Sequence, residues 1–173
     1  MDARPKIDLE QTTLDQLLEW AGWGMLIISW GLFAKHFPQL PDVIPTHFNA
    51  RGIPDGYGSK AELWALPIIA TVFYSGLTIL NRFPHLFNYP VRIVPENARR
   101  QYVLATRLIR YLKLSLVLIF YFLLFGAVET AAGRAPGLGA WFLPLVLGLV
   151  FVPLVVFLIQ SMRPRRNSGI QAK

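Results

Sequence analysis

With 173 residues the chain suits a single domain, and its 54% apolar and 16% charged side chains are too oily for an ordinary soluble one. Seventeen Lys and Arg against ten Asp and Glu give a formal charge of +7, and the basic residues flank long uncharged blocks, which favours an anionic membrane surface over nucleic acid. The lack of cysteine excludes disulfides, thiolate metal sites and thiol nucleophiles.

Residues 1–12 mix charges with Pro5 and read as a flexible tail. Thr13 with Gln16 suggests a capping box opening the first helix. The stretch Trp20 to Ala34 is uncharged; Leu14, Leu17 and Leu18 extend it towards the roughly 20 residues a span needs, Lys35 can snorkel, and Pro38 ends it. Trp20, Trp23 and Trp30 suit an interfacial belt. The late start, the lack of a basic n-region and of a small-x-small exit argue against a cleavable signal.

Residues 38–62 change character, with Pro and Gly at close intervals and charges of both signs. Ser59 and Glu62 form an S-x-x-E capping box ahead of an uncharged run from Leu63 to Leu80, where Pro67 lies near the helix start. After a Pro-interrupted stretch, Pro95-Glu96 reads as the next helix start. From Asn97 to Lys113, Leu104, Leu108, Leu112 and Ser115 share one side while Arg100, Arg107 and Arg110 lie on another. This helix runs into a third span, Leu114 to Ala132, whose one charge is Glu129. A Gly- and Pro-rich turn, Gly133 to Gly139, leads to a fourth from Ala140 to Met162, with Pro153 in its middle and Arg163, Arg165 and Arg166 beyond it.

The expected fold is therefore an all-α integral membrane protein, a four-transmembrane-helix bundle with spans at about 14–37, 63–81, 112–132 and 140–162. A short extracytoplasmic hairpin-like loop joins the first two, and a basic tail covers 163–173. If the amino terminus is inside, thirteen Lys and Arg lie on the inner side against four outside. Both termini are thus expected in the cytoplasm, with the protein in the cell membrane.

The loop holds the densest polar chemistry. Val43 to Phe48 has β character, Asn49 to Gly52 is a turn signal, and Pro54-Asp55-Gly56 suggests a second turn. The string LPDVIPTHFNARGIPDGYGSK resembles the signature of domain of unknown function 1648, the amino-terminal domain of SdpI-type bacterial immunity proteins. Leu40, Pro41, Ile44, Pro45, His47, Phe48, Asn49, Gly52, Pro54, Asp55, Ser59 and Lys60 meet the pattern. The stretch NYPVRIVPENARRQY looks like segments that follow the second helix in relatives, so the likeness covers roughly residues 20–130. It implies a membrane protein of uncharacterised activity; some relatives protect bacteria from a secreted antimicrobial peptide, but they usually carry more helices downstream.

For the individual residues the expectations are structural before they are chemical. His47 and Asn49 should hydrogen-bond loop carbonyls, and Asp55 and Lys60 should cap turns or pair with each other. Neither paired-His nor H-E-x-x-H spacing occurs, so no metal and no cofactor are expected. Glu129 is an intramembrane acid, either a transport residue or a partner of Arg134 near the helix end. The basic stripe of Arg100, Arg107 and Arg110 should contact anionic lipid headgroups, at about 1 kcal/mol per charge near the surface. No nucleophile and base arrangement is recognisable, so the chain is read as non-enzymatic. Its outer loop would recognise or shield against an extracellular ligand such as an antimicrobial peptide. The alternative is an oligomeric transporter or channel subunit, which would make further copies of the chain its partners; a membrane-embedded enzyme stands last.

Overall fold

The structure, a computed structural model, describes residues 4–163. Helix α1 spans Thr13–His36 and is capped by Thr12, whose Oγ1 accepts from Asp15 N while the Asp15 carboxylate accepts from Thr12 N. The capping box thus lies one residue earlier than Thr13 and Gln16 suggest, because the Asp15 carboxylate serves both the cap and an ion pair with Arg107. Pro38 tightens the end of α1 into a 3-10 turn, Phe37–Gln39. Strands β1 (Val43–Phe48) and β2 (Pro54–Ser59) follow as an antiparallel hairpin. Next comes a 3-10 segment, Lys60–Trp64, with a Ser59 and Glu62 capping box; it runs directly into α2, Ala65–Leu80. Helices α3 (Pro95–Ala131) and α4 (Phe142–Met162) complete the fold.

Four helical stretches, Thr13–Gln39, Lys60–Leu80, Pro95–Ala131 and Phe142–Met162, are long and apolar enough to cross a membrane. Among the described residues these four make up a helical membrane protein. Helix α3, with 37 residues, extends about 55 Å at 1.5 Å per residue, well beyond the roughly 30 Å hydrocarbon layer. It is the hub: α1, α2 and α4 all pack against it. One apolar cluster, Leu26, Ala70, Tyr74 and Val117, ties α1, α2 and α3 at mid-height. Gly22 makes this possible, since a Cβ there would run into the Tyr74 ring. A second cluster, with Phe33, Leu40, Ile44, Leu63, Leu124 and Val128, seats the hairpin on α1 and α3. Trp30 belongs beside that cluster rather than in a lipid-facing belt: its indole N–H donates to Thr71 Oγ1 (3.0 Å), and its ring meets Phe33 and Trp64 edge-on.

Helix α4 packs mainly on α3 and turns Leu147, Phe151, Val155 and Ile159 outward, as lipid contact requires. Its internal Pro153 lacks the N–H that would bond Leu149 O one turn back, and the Ser115 hydroxyl of α3 donates to that carbonyl instead (2.9 Å). At the far end of α4, Gln101 and Ser161 exchange two hydrogen bonds, Nε2 to Ser161 O and Ser161 Oγ to Oε1.

Residues 4–12, expected to be a flexible tail, are docked. The Arg4 guanidinium donates to His85 O and Phe87 O, and the Tyr102 hydroxyl donates to Pro5 O (3.1 Å). Tyr89 stacks against Tyr102 nearby and donates to Pro84 O (2.8 Å); burial raises its phenol pKa. The basic tail after Arg163 lies outside the described residues.

Candidate functional site

The hairpin between α1 and α2 is built around Asn49 and Gly52. Asn49 Oδ1 accepts from Arg51 N (2.9 Å) and Ile53 N (3.2 Å), while Gly52 N donates to Asn49 O (2.8 Å). Asn49 therefore holds the turn through amides rather than the carbonyls expected. Gly52 has φ +73°, a conformation that L side chains rarely adopt. The Gly133 to Gly139 turn between α3 and α4 crosses this tip: Leu138 N donates to Gly52 O (2.8 Å), and a Cβ on Gly52 would overlap the Gly139 backbone. The hairpin is thus pinned at its base by Ile44 and at its tip by a backbone hydrogen bond.

The strands carry the motif residues to the surface. His47 pairs with Gly56 across the ladder, where a Cβ would lie 2.9 Å from His47 Cβ, so the glycine keeps room for the imidazole. His47 Nδ1 meets Asp55 Oδ1, with side chains 72% and 44% exposed. This corrects two expectations: Asp55 pairs with His47 rather than Lys60, and Pro54-Asp55-Gly56 lies in β2 rather than in a turn. Lys60 instead donates to Leu40 O (3.2 Å) and pairs with Asp42 (3.0 Å), tying the hairpin base to the end of α1. Pro45 is buried, Phe48 packs partly on the cluster below, and Val43, Ile53 and Tyr57 stand exposed. Ser59 caps the segment that leads into α2. Among the described residues no three His, Asp or Glu side chains gather as a metal would require. Glu129 makes a bidentate pair with Arg134, at 2.7 and 2.8 Å.

A second polar assembly sits at the opposite end of the bundle. Asp15 and Glu19, one turn apart on α1, face Arg107, Arg110 and Lys113 on α3. Lys113 Nζ is 2.6 Å from Glu19 Oε2 and also donates to Thr78 Oγ1 (2.8 Å), and its side chain is 1% exposed. The Tyr74 hydroxyl donates to Glu19 O (2.9 Å), and the Tyr74 ring lies 4.6 Å below the Lys113 ammonium. Arg107 Nε donates to Asp15 Oδ1 (3.0 Å).

The basic stripe, expected to contact anionic headgroups, has partners within the protein. Arg107 and Arg110 turn into the bundle towards α1, where Arg107 meets Asp15 (3.0 Å) and Arg110 meets Glu19 (3.2 Å). Arg100 donates to Gln160 O and Arg163 O, satisfying carbonyls at the end of α4. Asp15 and Glu19 escaped notice because they precede the uncharged run. The available signal was two acids at i and i+4 opposite three cations at three-residue spacing.

Residues 24–71 match the family profile described as Domain of unknown function 1648. Over 138 residues the chain is 33% identical to an uncharacterised protein of Archaeoglobus fulgidus, a match covering 71% of this chain and 74% of that protein. The chain belongs to the domain of unknown function 1648 family. No solved structure matches it. The domain of unknown function 1648 match runs from the middle of α1 through the whole hairpin into α2, so it takes in His47, Asn49, Gly52 and Asp55. Asp15, Glu19 and their cationic partners on α3 fall outside it.

Proposed function

We propose that this is a non-enzymatic multi-pass protein of the cell membrane whose hairpin recognises, or shields against, an extracellular ligand such as an antimicrobial peptide. The observation that carries the reading is the exposed His47 and Asp55 pair, flanked by an exposed Tyr57, on a hairpin fixed at both base and tip. Rigidly mounted loop residues that do nothing for the core are where recognition is usually found. Deletion should sensitise cells to at least one secreted peptide, and His47→Ala or Asp55→Ala should reproduce that phenotype at normal protein levels. Unchanged resistance of the deletion strain across a broad peptide panel refutes the reading.

Orientation belongs to the same proposal. The excess of Lys and Arg near the termini and at 82–113 supports an arrangement with these segments inside and the hairpin outside. Setting aside Arg107, Arg110 and Lys113, which pair with Asp15 and Glu19 within the bundle, still leaves ten inner cations against four. Because the chain has no cysteine, single Ala50→Cys and Arg99→Cys variants can be probed with an impermeant thiol reagent in intact cells. Labelling of Ala50→Cys alone is expected; labelling of Arg99→Cys alone inverts the topology.

The alternative of an oligomeric transporter or channel subunit is favoured by one observation, the ionic assembly of Glu19 and Lys113 inside the helix bundle. Under it, Glu19→Gln abolishes a proton or ion flux through reconstituted vesicles. Equal flux in the variant and the unsubstituted protein removes this alternative.

A further inference from the structure

Helix α4 reaches further towards the Asp15 end of the bundle than its neighbours do. Gln101 meets Ser161 and Ser115 meets Leu149, so α4 runs beside α3 down to the level of Arg100. Helix α1 starts and α2 ends short of that level: Asp15 pairs with Arg107, and Asn81, just past α2, donates to Thr106 O. Roughly the last six residues of α4, about 9 Å of helix, therefore extend beyond both. Among them Leu158, Ile159 and Met162 are 38%, 49% and 65% exposed. Hydrocarbon has to follow these side chains, which carries the headgroup layer on that side to the first turns of α3.

Two clefts between α3 and α4 lie along this stretch. The one at the end, about 570 Å³, is walled by Glu96, Arg99, Arg100, Leu104 and Arg163. The next, about 400 Å³, shares Leu104 and continues along Leu108, Tyr111, Val152 and Val156, with Leu14 of α1. We propose that the two together hold one anionic phospholipid, with its phosphate at Arg99 and Arg163 and an acyl chain along Leu104, Leu108 and Tyr111. This site is independent of the hairpin.

Three observations select this occupant. First, the groove changes polarity along its length. Arg100, Leu104, Leu108 and Tyr111 recur every three or four residues and so share one face of α3. From Arg100 to Tyr111 is about 16 Å, roughly half the 30 Å hydrocarbon layer and thus the depth of one leaflet. Second, the end cleft has cations to spare. Arg100 is engaged by the carbonyls of Gln160 and Arg163, but Arg99 and Arg163 are exposed, and their side chains make no hydrogen bond or ion pair among the described residues. Glu96 is the one acid on that wall among the described residues, against three cations. Guanidinium groups bind phosphate through charge-assisted hydrogen bonds, and basic pockets between helices on this kind of surface take anionic headgroups. Third, Arg107, the one cation along the apolar part, is already met by Asp15 at 3.0 Å, so the acyl chain faces no uncompensated charge.

Native mass spectrometry of full-length protein, released from nanodiscs of phosphatidylglycerol and phosphatidylcholine in equal parts, counts the lipid retained. One phosphatidylglycerol per chain is expected, in preference to phosphatidylcholine. Arg99→Gln with Arg163→Gln should weaken that retention by about tenfold or more. Lys6→Gln with Arg82→Gln removes the same charge from the same end, outside the groove, and should leave retention unchanged. Val156→Trp fills the apolar part and should weaken retention with every cation in place. Three results overturn the proposal: equal retention of the two lipids, equal effects of the two double variants, which reduces the preference to general surface charge, and unchanged retention in Val156→Trp, which leaves the chain without a seat.

Discussion

Replacing Lys113 by Met isolates the energetic role of the buried ionic assembly. Lys113 is 1% exposed, and its ammonium meets Glu19 Oε2 at 2.6 Å and Thr78 Oγ1 at 2.8 Å. Methionine fills nearly the same volume, so the change removes charge rather than packing. Removing one partner of a buried pair costs about 3–5 kcal/mol, because the other charge is left uncompensated. Here the lower end applies: Glu19 is 19% exposed on its side chain, and Arg110 remains 3.2 Å from its other oxygen. About 3 kcal/mol at about 2–4 °C per kcal/mol, the scale for a chain of this size, predicts a loss near 6–12 °C in thermal unfolding in detergent. The double variant Lys113→Met with Glu19→Gln should recover part of that loss, since no carboxylate is then left short of a cation, while Arg110 keeps only its 3.6 Å contact to Asp15. A single-variant loss below about 1 kcal/mol, or strictly additive losses in the double, would show that Glu19 does not depend on Lys113.

Three further outcomes follow from other contacts. Gly52→Ala forces a side chain into φ +73° and against Gly139; the backbone alone costs about 1–2 kcal/mol, so limited proteolysis should cut the hairpin faster while the helices stay protected. Ser115→Ala leaves Leu149 O without a donor inside the bilayer and should lower unfolding stability by about 1–2 kcal/mol; adding Pro153→Ala restores an N–H to that carbonyl and should return most of it. Glu129→Gln, which breaks a pair with an exposed Arg134, should leave unfolding stability essentially unchanged in the same assay.

Four apolar helices could be read from the sequence because transmembrane length and the absence of charge are one-dimensional signals. Pro95 and the Ser59 and Glu62 box were equally local, since a cap depends on residues three or four positions apart. The hairpin motif was legible for the same reason, but its pairings were not. Whether Asp55 turns to His47 or to Lys60 depends on strand register, and the bulges on either side of His47 set that register. Arg107 and Arg110 show a different limit. Periodicity put them on one face of α3 but could not say whether that face meets lipid or another helix, and two acids ahead of the first apolar run decided it.

Helices in a bilayer gain little from burying apolar faces against each other, so specific polar contacts take on the work of setting register. Each helix here is tied to α3 by such a contact: α1 through Asp15 and Glu19, α2 through Thr78 with Lys113 and Asn81 with Thr106, and α4 through Ser115, Gln101 and Arg100. These ties lie between Arg100 and Ser115 of α3, while Leu124 and Val128, further on, seat the hairpin. From Lys113 to Val128 is about 22 Å along the axis, a distance that α1, α2 and α3 each span as rods. A hairpin mounted on helices locked this way is a fixed platform. If the hairpin recognises a ligand as proposed, its surface is set before the ligand arrives, and removing the exposed His47 or Asp55 side chain should alter binding while leaving the fold intact.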